Sequence, residues 1–305
     1  MLPSVELIAI DIDGTLLPSV GGELTERTQR ALELARRAGI EIVIATGRRH
    51  RYATPILERA AQPPHTALIS SNGSVTRRLD GEPVDCFSLP LETSRGLCTA
   101  LRPFGGTVVF TFDLEGPGEM VLESFDAVHP QIRMWVEANR HALLEVNPLE
   151  RAFDNGAEPI QGMICGSVKA MRDAEDGLRA CGYGATVEMQ RTEYPSRDLT
   201  ILDLLPPGCS KGQALARLAE QRGLAAGQVM AIGDNWNDEN MLAWAGRPVV
   251  MGNGAPELLE HARRHGWQIA PANDDDGVAQ VVEAVIAERA GDAARPINRA
   301  AEMAQ

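Results

Sequence analysis

Val5-Glu6-Leu7-Ile8-Ala9-Ile10 is a short, nearly unbroken apolar run that stops abruptly at Asp11-Ile12-Asp13-Gly14-Thr15-Leu16. A run this short and this apolar suits a strand covered on both faces, which is the environment of a parallel sheet flanked by helices. The next segments keep that grammar. Leu24 to Ala38 reads as a helix that Thr25 can cap, with Ala31, Leu34, Ala35 and Ala38 recurring at three- and four-residue spacing and Gly39 stopping it. Glu41-Ile42-Val43-Ile44-Ala45 is a second strand and Ala67-Leu68-Ile69-Ser70 a third, each ending at polar residues. Strand, helix, strand in this order predicts an α/β fold with a doubly wound parallel sheet.

The same pattern returns after residue 205. Gly212 to Arg222 reads as a helix with Leu215 and Leu218 on one face, and Val229-Met230-Ala231-Ile232 as a strand. A short helix over Asp238 to Ala245 and a strand over Pro248 to Met251 follow. Val278, Val281, Val282, Val285 and Ile286 then make the apolar stripe of a last helix. Between the halves the period changes. Thr107 to Phe112 and Met120 to Glu123 flank a Gly-Pro-Gly turn, helical stretches lie near 129–141 and 169–181, and strands near Met163, Thr186 to Met189 and Leu199 to Leu202. The expected organisation is a discontinuous core of residues 1–80 and 196–290, with an α+β module of residues 81–195 inserted in it. Residues 291–305 have no apolar periodicity and are expected to be a flexible tail.

With 305 residues the chain has room for about two domains. Its net charge of −13 excludes a nucleic-acid backbone as partner, which would need a basic face. For a site that handles phosphate, the same acidity calls for a local positive charge, which a bound divalent cation would supply. No apolar run approaches the ~20 residues that span a bilayer. Met1-Leu2-Pro3-Ser4 leads straight into the first strand with no basic region or cleavage site. A cytoplasmic protein is expected, without a membrane partner, as a monomer or small homo-oligomer. The five cysteines show no CxxC spacing and the six histidines no ligand spacing, so both types read as packing or surface residues.

Four polar clusters stand at strand ends or at a helix start, the edge where open α/β sheets bind ligands. In the first, Asp11 and Asp13 lie two apart at the end of a strand, as exposed charges. Asp11 could attack phosphorus as a carboxylate nucleophile, and Asp13 could protonate the leaving oxygen and then deprotonate water. Taken alone, the pair has a second, less favoured reading as a polar turn closed by Gly14. The second is Thr46-Gly47-Arg48, where Thr46 offers a hydroxyl or a helix cap and Gly47 lets backbone approach an anion. The third is Lys211 at a helix start, able to hold phosphate or to lie on the surface. The fourth, Gly233-Asp234-Asn235-Trp236-Asn237-Asp238, offers hard oxygen ligands for Mg2+ or simply a capped loop. Asp11, Asp234 and the backbone carbonyl of Asp13 would hold the ion, with Asp238 an additional ligand or just behind it.

From Val5 to about Ile286 these clusters, their order and the inserted module resemble the haloacid dehalogenase superfamily, specifically the Cof-like hydrolases with a large α/β cap. Asp11 to Leu17 resembles that family's nucleophile motif, Thr46-Gly47-Arg48 its phosphate-hydroxyl motif, Lys211-Gly212 its lysine motif, and Gly233 to Leu242 its metal motif. Asn72-Gly73, Met251-Gly252-Asn253 and Asp276 to Ala279 resemble secondary signatures. The resemblance implies a magnesium-dependent phosphatase acting on a small phosphorylated metabolite through an aspartyl-phosphate on Asp11. Its catalytic residues would be Asp11, Asp13, Thr46 and Lys211, and its phosphate-binding set Ile12, Thr46, Gly47, Lys211 and Asn237. A phosphomutase, a sucrose- or trehalose-type sugar-phosphate phosphatase and a non-catalytic phosphate-binding protein are the alternatives. Trp236 stands where the family often has a smaller residue, and would shape the pocket rim or pack.

Overall fold

The computed structural model describes residues 3–293. Its strands run β1 (Leu7–Ile10), β2 (Glu41–Ala45), β3 (Ala67–Ser70), β4 (Val75–Arg78), β5 (Pro83–Cys86), β6 (Thr107–Thr111) and β7 (Met120–Leu122). They continue with β8 (Leu143–Glu145), β9 (Gln161–Gly166), β10 (Glu188–Tyr194), β11 (Leu199–Leu205), β12 (Val229–Gly233), β13 (Arg247–Val250) and β14 (Gln268–Ile269). The helices are α1 (Glu26–Arg37), α2 (His50–Arg59), α3 (Leu91–Leu101), α4 (Arg133–Ala138) and α5 (Val168–Ala180). After them come α6 (Lys211–Gln221), α7 (Glu239–Trp244), α8 (Pro256–His265) and α9 (Gly277–Ala293).

The first sheet has eight strands in the order β14-β13-β12-β1-β2-β3-β4-β5, parallel from β14 to β3 and antiparallel beyond. Successive residues of β1 enter opposite cores. Ile8 and Ile10 pack with α1, α2 and α9, while Leu7 and Ala9 pack with α6, α7 and α8. This double coverage is why the strand reads as a continuous apolar run. The chain winds outward from β1 through β2 to one side and later through β12 and β13 to the other. The ends of β1 and β12 therefore form the crevice where the winding reverses.

The second sheet has six strands, β10-β11-β9-β6-β7-β8, antiparallel except for the β7–β8 pair. Helices α3 and α5 cover one of its faces. The two sheets do not divide at residues 80 and 195. β5 pairs with β4 in the first sheet, and β11 pairs with β9 and β10 in the second. The change of pattern near 80 is the turn of the β4–β5 hairpin, and the one near 195 is the β10–β11 turn, where Asp198 takes a φ of 44°. Each sheet boundary thus lies one strand further along the chain.

Thr25 caps α1 by accepting the Thr28 N–H at 3.1 Å. Its buried face is Thr28, Ala31, Leu32 and Ala35, while Leu34 is 44% exposed, so the apolar stripe is offset from the expected one. At the other end, α9 runs on to Ala293, because Ala, Glu and Arg sustain a helix without an apolar face. Its Arg289 reaches the Val5 carbonyl at 2.7 Å and the Glu6 carboxylate at 3.0 Å. The expected tail therefore does not include residues 291–293, and residues 294–305 lie outside the described part. No helix among the described residues is long and apolar enough to cross a membrane.

Candidate active site

β1 and β12 are neighbours, and the Asp11 N–H donates to the Ile232 carbonyl at 3.0 Å, so the loops after both strands start side by side. After Asp11 the chain makes a tight turn, with Leu16 N–H on the Asp11 carbonyl and Leu17 N–H on the Ile12 carbonyl. Gly14 takes φ +82° there, and a Cβ on it would lie 2.4 Å from an Asp234 carboxylate oxygen, so only glycine fits. Asn253 donates to the Gly14 carbonyl at 2.7 Å and Asn273 to the Leu17 carbonyl at 2.8 Å. The Met251-Gly252-Asn253 signature thus braces the turn that carries Asp11.

Asp11 is buried, 4% exposed, contrary to the expectation of an exposed strand-end charge. Lys211, fully buried at the start of α6, donates to Asp11 Oδ1 at 2.6 Å and to Asp238 Oδ1 at 2.7 Å. Ser210 caps that helix by accepting the Gln213 N–H at 3.0 Å, which fixes where Lys211 begins. Burial works against the charge on Lys211, but the two carboxylates more than offset it and the ammonium titrates above its ordinary range. Asp238 Oδ2 accepts the N–H groups of Asp234 at 3.0 Å and Asn235 at 3.1 Å. Both its oxygens are therefore engaged in shaping the loop that presents Asp234. Thr15 donates to Asp234 Oδ1 at 2.8 Å.

Carboxylate oxygens of Asp11, Asp234 and Asp238 lie within 4.8 Å of one another in a buried pocket. Burial, with Asp238 next in order, pushes Asp234 up to about 7, and Asp11 is driven well above the ordinary range by burial against the pull of Lys211. Three carboxylates and one ammonium leave a formal charge of −2, which a divalent cation would cancel. Among the described residues, Asp11 Oδ2 and Asp234 Oδ2 have no hydrogen-bond donor, so this set fits a hard cation that takes few protein ligands. Asp238, with both oxygens occupied, fits a place behind those two. The Asp13 side chain turns away to Arg48, which leaves its backbone carbonyl as its possible contribution.

Thr46 directly follows β2 and is fully buried, its N–H donating to the Ile69 carbonyl at 2.8 Å. Its hydroxyl accepts the Arg48 N–H at 3.1 Å. The hydroxyl proton has no acceptor among the described residues and is available to an anion. A Cβ on Gly47 would stand 3.1 Å from the Asn72 side chain, so the Gly47 backbone lies close against the Asn72 amide. Ile12 buries its side chain in the core, which leaves only its backbone to meet a ligand. Asn237 donates from Nδ2 to Asn72 Oδ1 at 3.1 Å, and Asn72 donates to Asp203 Oδ2 at 2.8 Å.

Two residues of the second-sheet unit join this edge unforeseen. Asp203 is the single charged residue in the mostly apolar β11, and that incongruity was its only signal in the sequence. Tyr194, the last residue of β10, had none. Burial and the nearby charges of Asp13, Asp234 and Asp11 push its phenol up to about 12. The strand end is held there by Glu193, whose N–H donates to Asn235 Oδ1 and whose carbonyl accepts from Asn235 Nδ2, both at 3.4 Å. Trp236 is half-buried, packs against the core formed with α6 to α8 and meets His261 edge-on at 6.0 Å.

The profile of the haloacid dehalogenase-like hydrolases matches residues 8–282. Phosphatase YwpJ of Bacillus subtilis is 28% identical over 308 aligned residues, covering 92% of this chain and 99% of its own length. HMP-PP phosphatase of Cronobacter sakazakii is 27% identical, covering 82% of this chain and 85% of its own. A haloacid dehalogenase-like hydrolase from Bacteroides thetaiotaomicron, 26% identical, superposes with a TM-score of 0.71 over 92% of this chain and 100% of that one. With a match over nearly its whole length, the chain belongs to the haloacid dehalogenase-like hydrolases.

Proposed function

We propose that the protein is a magnesium-dependent phosphatase of a small phosphorylated metabolite, a sugar phosphate or similar phosphomonoester, acting through an aspartyl-phosphate on Asp11. The observation that carries this reading is the buried Asp11 carboxylate, with Oδ1 fixed by Lys211 at 2.6 Å and Oδ2, beside Asp234, without a donor among the described residues. Mg2+ held by Asp11, Asp234 and the Asp13 carbonyl, with Asp238 behind them, would shield the charge between nucleophile and phosphoryl oxygens.

Asp11 attacks phosphorus, and the bond to the ester oxygen breaks as Asp13 gives that oxygen a proton. Asp13 then takes a proton from water, the water attacks the aspartyl-phosphate, and phosphate leaves with Asp11 restored. Thr46, Lys211, Asn237 and the backbone at Ile12 and Gly47 hold the phosphoryl oxygens, so catalysis is mainly positioning and electrostatics. Asp13 is clamped by Arg48 and has to turn from it toward the substrate.

The second-sheet unit acts as a cap that supplies specificity and excludes bulk water, with Tyr194 within the field of the Asp13, Asp234 and Asp11 carboxylates. Similarity to an HMP-PP phosphatase supports a small phosphorylated substrate. Operation in the cytoplasm, as a monomer or small homo-oligomer, belongs to the same reading; all five cysteines are unpaired.

The test is a panel of phosphorylated metabolites assayed for released phosphate with Mg2+, followed by acid quench of the preferred substrate's reaction. Phosphate trapped on the Asp11 peptide is expected. Turnover with the label on another residue would remove the covalent mechanism.

A further inference from the structure

Asp203 is a buried carboxylate that the reaction above does not use. It lies on β11 between Gln190 of β10 and Met163 of β9, with neighbouring strands on both sides, and is 4% exposed. A carboxylate in such a place is strongly destabilising unless its oxygens are hydrogen-bonded. Here each oxygen receives an amide. Gln161 Nε2 of β9 donates to Oδ1, and Asn72 Nδ2, from the first-sheet unit, donates to Oδ2 at 2.8 Å.

Both Asp203 oxygens accept an amide N–H here, so the carboxyl decides which end of the Asn72 amide faces it. With Nδ2 turned to Asp203, Asn72 presents Oδ1 to Asn237, whose Nδ2 donates to it at 3.1 Å. Every donor in this chain points the same way, from Asn237 through Asn72 to Asp203. Asn72 itself is pinned, with φ +52° and its N–H on the Thr46 carbonyl at 3.1 Å, so turning over its side-chain amide is the freedom left to it. The second N–H of Asn237 has no acceptor among the described residues, and it sits in the loop of Asp234 and Asp238.

We infer that Asp203 is a positioning residue: through Asn72 it sets the orientation of the Asn237 amide, so the second-sheet unit fixes a donor for the substrate's phosphoryl oxygens. The inference rests on the phosphoryl site assigned under Proposed function. It concerns orientation rather than charge, and any residue at 203 that still accepts from Asn72 suffices. Asparagine does so, because Gln161 can turn over and accept from the new amide. Leucine has similar volume and accepts nothing.

The full-length chain is assayed with Mg2+ and p-nitrophenyl phosphate as wild type, Asp203→Leu, Asp203→Asn, Asn237→Ala and the Asp203→Leu/Asn237→Ala double variant. Asp203→Leu should lower kcat/KM about tenfold, roughly the loss of one oriented hydrogen bond, while Asp203→Asn stays within about threefold of wild type. In the Asn237→Ala background, Asp203→Leu should change kcat/KM by less than about twofold while lowering the thermal midpoint as much as it does alone. A loss of the same factor with and without Asn237 overturns the inference, as does Asp203→Asn behaving like Asp203→Leu. If Asp203→Leu does not fold, Asn72→Gly cuts the relay from the other side, since glycine accepts the same φ, and enters the same cycle with Asn237→Ala. Asp11→Asn separates the two readings. Activity retained in Asp11→Asn removes the phosphoryl site itself, whereas additive losses with Asp11→Asn inactive remove only the relay.

Discussion

Arg48 closes on Asp13 with both arms of its guanidinium, Nε to Oδ2 at 2.7 Å and Nη2 to Oδ1 at 2.5 Å. A two-point pair sets the carboxylate in one plane at the mouth of the site, which a single-point contact cannot do. The proposed proton shuttle is thus stored in a defined orientation and has to break the pair each time it turns to a leaving group. In the proposed mechanism Thr46-Gly47-Arg48 serves both halves of the site, with Thr46 turned to the phosphoryl group and Arg48 to the acid.

Replacing Arg48 by lysine keeps the charge but loses the fork. The expected result is a fall in kcat of about tenfold for an alkyl phosphate, whose departure needs a proton, and a smaller fall for p-nitrophenyl phosphate, whose departure does not. The comparison is a kcat ratio between the two substrates in wild type and Arg48→Lys. Equal losses on both would mean that Arg48 serves the phosphate and not Asp13.

The carboxylate pocket makes a prediction about metal that does not depend on turnover. A ligand that binds only the folded state raises its stability by mass action. Mg2+ should therefore raise the thermal midpoint of the wild type, and the rise should vanish in Asp234→Asn. Chelation should abolish phosphate release and added Mg2+ restore it. A midpoint indifferent to Mg2+ together with full activity after exhaustive chelation would exclude the proposed metal site.

What the sequence carried and what it did not follow from physics. β1, β2 and β12 were legible because double burial makes a strand continuously apolar, and the polar residues after them mark the sheet edge. Asp11, Thr46, Lys211 and Asp234 stood out as candidates because they sit next to those strands or open a helix. The change of sheet lies one strand beyond residues 80 and 195, since a hairpin turn changes local pattern as much as a passage between sheets does. Leu34 was placed inside because its spacing fits, but Leu32 takes the buried position on α1. Asp203 and Tyr194 approach the site only through the docking of one unit on the other, and no local periodicity records such a long-range contact.

Asp203 also predicts how stability should vary with pH. Burial pushes its carboxyl from 3.8 up to about 7, against the hydrogen bond from Gln161, the charge of Lys211 and the hydrogen bond from Asn72; Cys165 and Tyr194 are the other titratable groups that feel it. The folded state then holds this proton more tightly than the unfolded one. The stabilisation it contributes is fully present below about pH 4 and is lost as pH rises through about 7. At about 1.4 kcal/mol per unit, the loss is on the order of 4 kcal/mol. Asp203→Asn removes this titration, so its stability relative to wild type should rise steadily from pH 5 to 7 and level off above. Urea unfolding midpoints of both proteins across that range test this. A difference that stays flat, or that falls with rising pH, would mean that burial does not raise Asp203.

The last prediction separates Asp11 from Asp13, two residues apart in sequence and in different surroundings. Asp11 is buried against Lys211, so Asp11→Asn, which keeps the shape and one acceptor, is the variant least disturbing to the fold. Asp13 is half-exposed, and Asp13→Ala removes only a surface pair with Arg48, worth about 1 kcal/mol or less. A nucleophile is required in the first step with any leaving group, whereas a general acid is dispensable for nitrophenolate. The second step still needs Asp13 as base. Asp13→Ala given p-nitrophenyl phosphate should therefore release up to about one nitrophenolate per active site and then nearly stall. Asp11→Asn should show no burst. Acid quench of the stalled Asp13→Ala enzyme, followed by peptide mass analysis, should find the phosphoryl group on Asp11. A burst from Asp11→Asn, or steady turnover by Asp13→Ala at the wild-type rate, would assign the two carboxylates to other roles.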